Sequence, residues 1–233
     1  MKIHVGTSGY SYREWKGTFY PARLSSREML GYYAQRLGAV EINNTFYRMP
    51  TAAVLQVWSQ QVPGDFVFTF KAPQVITPRK RLRNVDGETA HLFGTLAVLG
   101  GKLGPVLFQF PPDFQPDPAA TAYFLGLLPG GVDCAFEFRG RTGPAGAVRD
   151  LLAKRGYSLC TADTDEAPAE EVAGGNSWGY LRLRRSEYSL ADLARWLERV
   201  RSQRWQRAYV FFKHEDEAKG PEAAIRFREL SLR

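Results

Sequence analysis

Short apolar runs alternate with longer amphipathic ones along this chain. Runs rich in aromatic and β-branched residues occupy 3–7, 40–43, 66–70, 106–110, 134–138, 158–161, 179–183 and 208–212. Each is bounded by glycine, proline or polar residues and reads as a strand. Between them the spacing turns helical. Segment 26–37 puts Met29, Leu30, Tyr33 and Leu37 on one stripe, and 189–200 does the same with Leu190, Leu193, Leu197 and Val200. Ser189 with Asp192 three residues on resembles a capping box. Helices over 52–61, 88–99, 118–128, 144–154 and 221–230 fill most other gaps, whereas 163–177 carries no stripe and reads as an irregular loop. Strands joined by helical crossovers predict an α/β fold with a parallel sheet. Eight strands, and a first turn reading Gly6-Thr7-Ser8-Gly9 rather than a dinucleotide fingerprint, favour a closed TIM-like (β/α) barrel over an open sheet. No repeat, low-complexity tract or linker divides the chain, so 1–233 is read as a single domain.

Parity within the strands sharpens this picture, because residues two apart share a face. Val40 and Ile42 point one way, Glu41 and Asn43 the other. Phe136 and Phe138 oppose Glu137 and Arg139; Phe66, Phe68 and Phe70 oppose Lys71; Phe108 and Phe110 oppose Gln109. Leu181 and Leu183 oppose Tyr180, Arg182 and Arg184. The wholly apolar face must pack under helices, so the polar set points into the barrel. It gathers near the C-terminal strand ends, where barrel enzymes carry their chemistry. The same charges can also neutralise one another as internal ion pairs.

Composition adds bounds. At 233 residues the chain needs short loops to complete a barrel of the usual size, about 250 residues. Met1 leads directly into the first strand, with no signal-like segment, and no apolar run approaches membrane-spanning length. A cytoplasmic protein with no membrane partner is expected, its oligomeric state left open. Cys134 and Cys160 fall in strands and read as small core residues. A net charge of +7 favours anionic partners, small molecules or nucleic acid.

Several blocks together resemble the YecE-like family, domain of unknown function 72. They are Gly6-Thr7-Ser8-Gly9-Tyr10-Ser11-Tyr12 with Trp15, Gly17 and Phe19-Tyr20-Pro21, then Val40-Glu41-Ile42-Asn43-Asn44-Thr45-Phe46-Tyr47 and Pro50. Phe66-Val67-Phe68 with Lys71, Leu103-Gly104-Pro105, Gln109-Phe110-Pro111-Pro112 and Glu137-Phe138-Arg139 continue it. Asp163, Tyr180-Leu181-Arg182 and Phe211-Phe212-Lys213 complete it. The resemblance implies a TIM-barrel-like fold and no particular reaction. Histidines common in the family are replaced here, by Pro78 after Ile76-Thr77, by Gly140-Arg141-Thr142-Gly143 after the Glu-Phe-Arg block, and by Arg184-Arg185.

The residue types then suggest chemistry. Zinc is disfavoured, because His4, His91 and His214 lack ligand spacing. Magnesium or manganese on Glu41, Glu137 and Asp163 is compatible with hard-cation preferences. Acid–base work is the more natural use of strand-end glutamates. A Glu41 desolvated by Tyr10, Phe46 and Tyr47 would have its pKa raised, while a carboxylate held by Arg139 would stay ionised. Hydrolysis of an anionic, phosphate-bearing substrate is therefore expected, with Glu41, Glu137 and Asp163 as the catalytic carboxylates. Asn43 and Gln109 would orient the substrate, and Lys71, Arg139, Arg182 and Lys213 would bind its charge. Thr7, Ser8, Tyr10 and Tyr47 would line the rim. The rival expectation is a non-catalytic nucleic-acid-binding or repair-associated protein. It would use the basic segment Arg79-Lys80-Arg81-Leu82-Arg83 and a second patch of Arg199, Arg201, Arg204 and Arg207 around Trp205.

Overall fold

The protein is described by a computed structural model covering residues 1–140, 143–144, 146–173, 177–213 and 218–233. The eight strands are β1 (Lys2–Ser8), β2 (Ala39–Ile42), β3 (Val67–Lys71), β4 (Leu103–Phe110), β5 (Cys134–Phe138), β6 (Ser158–Asp163), β7 (Trp178–Leu183) and β8 (Arg207–Phe212). All neighbours are parallel, and β8 pairs with β1 over Lys2–Arg207 to Thr7–Phe212, closing a barrel in chain order. Around it run α1 (Met29–Ala34), α2 (Ala52–Gln60), α3 (Asp86–Leu96), α4 (Pro118–Leu127), α5 (Gly146–Lys154), α6 (Leu190–Arg201) and α7 (Lys219–Ser231). Between β6 and β7 the described residues hold no helix, in keeping with the missing stripe.

Alternation divides the apolar side chains into two bodies. The larger lies between sheet and helices and takes the outward residues, among them Val40, Ile42, Phe68, Phe70, Phe108, Phe110, Phe136, Leu181, Leu183 and Phe212. The smaller fills the barrel itself: Ala39, Val67, Leu107, Ala135, Trp178, Tyr180, Tyr209 and Phe211, with Cys160 against it. Glu41, Thr69, Gln109, Glu137 and Arg182 each stand two residues beyond one of these inner apolar side chains, so parity directs them to the same interior.

β1 must lie close to β2, and Gly6 permits it. A Cβ there would sit 1.9 Å from the Ala39 carbonyl oxygen. α6 begins as its sequence suggests: Ser189 Oγ accepts from the Asp192 amide while the Asp192 carboxylate accepts from the Ser189 amide. α1 is shorter than its apolar stripe, ending at Ala34 before Leu37; ahead of it residues 26–28 form a turn in which the Glu28 carboxylate accepts from the Ser25 amide and hydroxyl. Among the described residues no helix is long and apolar enough to cross a membrane.

Candidate active site at the barrel mouth

The inner face near the C-terminal strand ends is built around Arg182, which is 2% exposed. Its guanidinium bridges two carboxylates. Nε and Nη2 donate to Glu41 Oε1 at 3.2 and 2.9 Å, and Nη1 donates to Glu137 Oε2 at 2.7 Å. Glu41 Oε1 also accepts from Ser8 Oγ at 2.7 Å and Asn43 Nδ2 at 3.1 Å, and Oε2 accepts from Tyr180 OH at 2.7 Å. Thr69 Oγ1 stands 3.2 Å from the same tyrosine oxygen. This carboxylate is wholly buried and accepts from five donor atoms, four of them on Oε1. Burial is the largest single influence and would raise its pKa, but the Arg182 charge and the hydrogen bonds from Ser8, Tyr180 and Arg182 together outweigh it and hold it down at about 2. The expectation of a raised Glu41 pKa is thus reversed. Tyr10 and Tyr47 do not pack on Glu41: Tyr10 stacks against Tyr33 and Trp58, and Tyr47 is exposed.

Glu137 differs. Gln109 Nε2 donates to its Oε1 at 2.7 Å, Arg182 Nη1 and the Cys160 thiol donate to Oε2, and Arg139 Nε stands 3.8 Å from Oε1. Glu137 thus accepts from three donor atoms where Glu41 accepts from five, and is the less fully engaged of the two. Cys160 Sγ lies 4.0 Å from Oε2, and burial pushes its thiol pKa well up.

Cations ring this floor. Lys71 Nζ lies 3.9 Å over the Phe46 ring. The turn carrying Phe46 is tied to β3 by Thr45 Oγ1 donating to the Lys71 carbonyl. Burial, then the charge of Arg182, lower the Lys71 pKa to about 8, against the opposing pull of Glu137 and Glu41. Burial and Arg182 likewise lower that of Arg184. Among the described residues, neither the Lys71 ammonium nor the Arg184 guanidinium has a carboxylate within ion-pair distance.

Not every expected site residue joins the cluster. Ser8, Glu41, Asn43, Lys71, Gln109, Glu137, Arg139 and Arg182 do. Thr7 is on the opposite face of β1, its Oγ1 within 2.9 Å of Tyr33 OH, so grouping it with Ser8 broke the parity rule. Asp163 also faces away. It accepts from Tyr188 OH at 2.8 Å and from the Ala169 amide at 2.9 Å, with Arg185 Nε at 3.2 Å. Lys213 borders a lateral cavity of about 280 Å³ between the ends of β7 and β8 and the start of α7. Among the described residues no three His, Cys, Asp or Glu side chains could share a metal ion, and Arg182 stands between Glu41 and Glu137. His91 is exposed on α3, and His214, Arg141 and Thr142 lie outside the described residues. Thr69 and Cys160 were missed as site members, although parity with Lys71 and Ala162 was the available signal; Tyr180 was placed on the inner face with Arg182 but given no role.

In the second basic patch, Trp205 is buried against Gly179, Arg199 and Arg201 bond the carbonyls of Ala169 and Ser231, Arg207 pairs with Asp133, and Arg204 is exposed. The opposite, N-terminal end of the barrel holds a cavity of about 370 Å³ bordered by His4, Asp65, Asp133 and Arg207.

Comparison with known proteins agrees with this architecture. The solved structure of a DUF72 family protein from Thermotoga maritima MSB8 superposes with a TM-score of 0.84 at 24% identity, covering 100% of both chains. A DUF72 family protein from Enterococcus faecalis V583 gives 0.81 at 18% identity, covering 99% of this chain and 96% of that one. In sequence, the chain is 30% identical over 138 residues to the UPF0759 protein YecE of Escherichia coli K12, which is 59% of this chain and 48% of that protein. To YunF of Bacillus subtilis 168 it is 29% identical over 148 residues, 60% and 51% of the two chains. It thus spans about half the length of the curated relatives it matches. The model of the family described as "Protein of unknown function DUF72" matches residues 4–232, so this chain belongs to the DUF72 family.

Proposed function

We propose that the chain is an enzyme acting at the barrel mouth on a small anionic, phosphate-bearing substrate, by hydrolytic acid–base chemistry. The observation that carries this reading is the unequal state of the two glutamates. Glu41 is the more heavily bonded and anchors Arg182, whereas Glu137 accepts fewer bonds and lies near Lys71, Arg139 and Arg184. In this reading Glu137 moves the proton, and Arg139 and Arg184 take the substrate's charge. Glu41 positions Arg182 instead of reacting.

The test is a screen of phosphomonoesters, phosphodiesters and glycosides, with Glu137→Gln as the variant. Turnover should fall by about 10²-fold or more, the usual worth of a positioned acid or base, while the thermal transition persists. Wild-type protein inert to every substrate, or a Glu137→Gln variant as active as wild type, would overturn the proposal.

A second reading is favoured by one observation. Beyond β3 the basic segment takes left-handed backbone at Arg81 (φ 49°), Leu82 (φ 68°) and Asn84 (φ 51°), with Leu82 buried as its anchor. Backbone of this kind costs energy and concentrates at functional sites. A cavity of about 340 Å³ lies between this segment and the start of α4. Nucleic-acid binding there predicts salt-sensitive affinity for oligonucleotides that Arg79→Gln with Arg83→Gln abolishes. Unchanged affinity in that variant at low salt removes the reading.

A further inference from the structure

We propose that Lys71 is a covalent amine, forming an imine with an anionic aldehyde or ketone bound at the barrel mouth. The proposal goes beyond the proposed function, and it rests on that reading only for the mouth as the anion site.

Three features of the cluster carry it. The first is placement: Lys71 ends β3 on the inner face, held between the Phe46 ring and the Arg182-centred floor. The second is the lack of any carboxylate within ion-pair distance among the described residues, so no salt bridge locks the ammonium form. The third is the surrounding charge. Burial first, then the charge of Arg182 with a smaller push from Arg139, brings the pKa to about 8 against the opposing pull of Glu137 and Glu41. A lysine desolvated beside other cations is the arrangement that turns an ammonium into a nucleophile.

The chemistry balances without any oxidant or reductant. The neutral Nζ attacks the carbonyl carbon, forming a C–N bond, and the carbonyl oxygen takes a proton to give a carbinolamine. Loss of that hydroxyl as water, with a second proton from the nitrogen side, leaves the C=N bond. Glu137 is the neighbouring carboxylate able to pass these protons. Arg139 and Arg184 would hold the substrate's carboxylate or phosphate, and addition of water to the imine regenerates Lys71.

The experiment is reductive trapping on the intact chain. Protein is incubated near neutral pH with glyoxylate, with glycolaldehyde phosphate or with uncharged glycolaldehyde, each with cyanoborohydride, and the eight lysines are compared by peptide mass. Relative to a lysine titrating at its usual 10.5, the unprotonated fraction of Lys71 is larger by about two orders of magnitude. The expected result is at least tenfold faster labelling of Lys71 than of any other lysine, with both anionic probes outpacing glycolaldehyde. Lys71→Arg should melt as wild type does and lose the fast label. Labelling of Lys71 no faster than Lys2 or Lys154, or equal labelling by charged and uncharged probes, would overturn the proposal. Stabilisation by inorganic phosphate, read separately by thermal melting, tells the two failures apart. A phosphate shift without trapping sinks the imine and spares the anion site, whereas absence of both sinks both.

Discussion

Glu41 and Arg182 are separated by 141 positions in the chain and by 2.9 Å in space, and much of the site's behaviour follows from that pair. An arginine this deeply buried is tolerable only with its donors matched and its charge answered, here by two carboxylates. Glu41→Gln keeps the shape but removes one of those charges. The expected loss is about 3–5 kcal/mol, the usual result of breaking a buried pair, measured by urea unfolding. A change below about 1 kcal/mol would mean that Arg182 is adequately held by Glu137 alone.

At the other end of the barrel, His4 stacks on Tyr209 with ring centroids 4.9 Å apart. Burial first, then Lys2 and Arg207, lower its pKa from 6.5 to about 4, against the opposing effect of Asp65. The folded state therefore prefers neutral imidazole. Its contribution to stability is complete above pH 6.5 and is lost as pH falls toward 4. Glu41 acts in a lower window, its contribution complete above its unfolded value of 4.5 and lost as pH falls through about 2. Denaturation followed from pH 7 to pH 3 should show the His4 loss first. His4→Phe, which keeps a ring against Tyr209, should flatten the slope between pH 6.5 and 4 only; an unchanged slope there would assign that limb to other groups.

At the scale of elements, local signals explain most of what forms. The capping pair at α6 satisfies amides that would otherwise be orphaned, so Ser189→Ala should cost about 1 kcal/mol in thermal or urea unfolding. Gly6 is needed for a different reason, the approach of β1 to the Ala39 carbonyl. Gly6→Ala should destabilise by about 1–3 kcal/mol or more, because here the clash is with backbone and no rotamer can relieve it. Both strand position and strand parity were legible in advance, since each depends on a few consecutive residues. α1 was not, because its apolar stripe runs on to Leu37 while the helix itself ends at Ala34. The extended turns after β3, with left-handed Arg81, Leu82 and Asn84, were likewise invisible: none of these residues advertises positive φ as a glycine would.

For the whole molecule, barrel closure decides which polar ends become neighbours. Eight strands joined in order bring Ser8, Glu41, Gln109, Glu137 and Arg182 into one layer, although all but Ser8 were identified by parity within their own strands. The sequence by itself determined the alternation, and hence the barrel class, the inward face and most members of the cluster, because those properties repeat with a period of two along a single strand. Tertiary structure alone decided the pairing, which depends on the register of all eight strands around a closed ring. It spent Glu41 on Arg182, left Glu137 with fewer donors than Glu41, turned Thr7 and Asp163 away, and set Lys71 without a carboxylate partner among the described residues. The sign of a pKa shift belongs to that second category as well. Burial acts on Glu41 and Lys71 alike, but the charge that answers each comes from strands far along the chain.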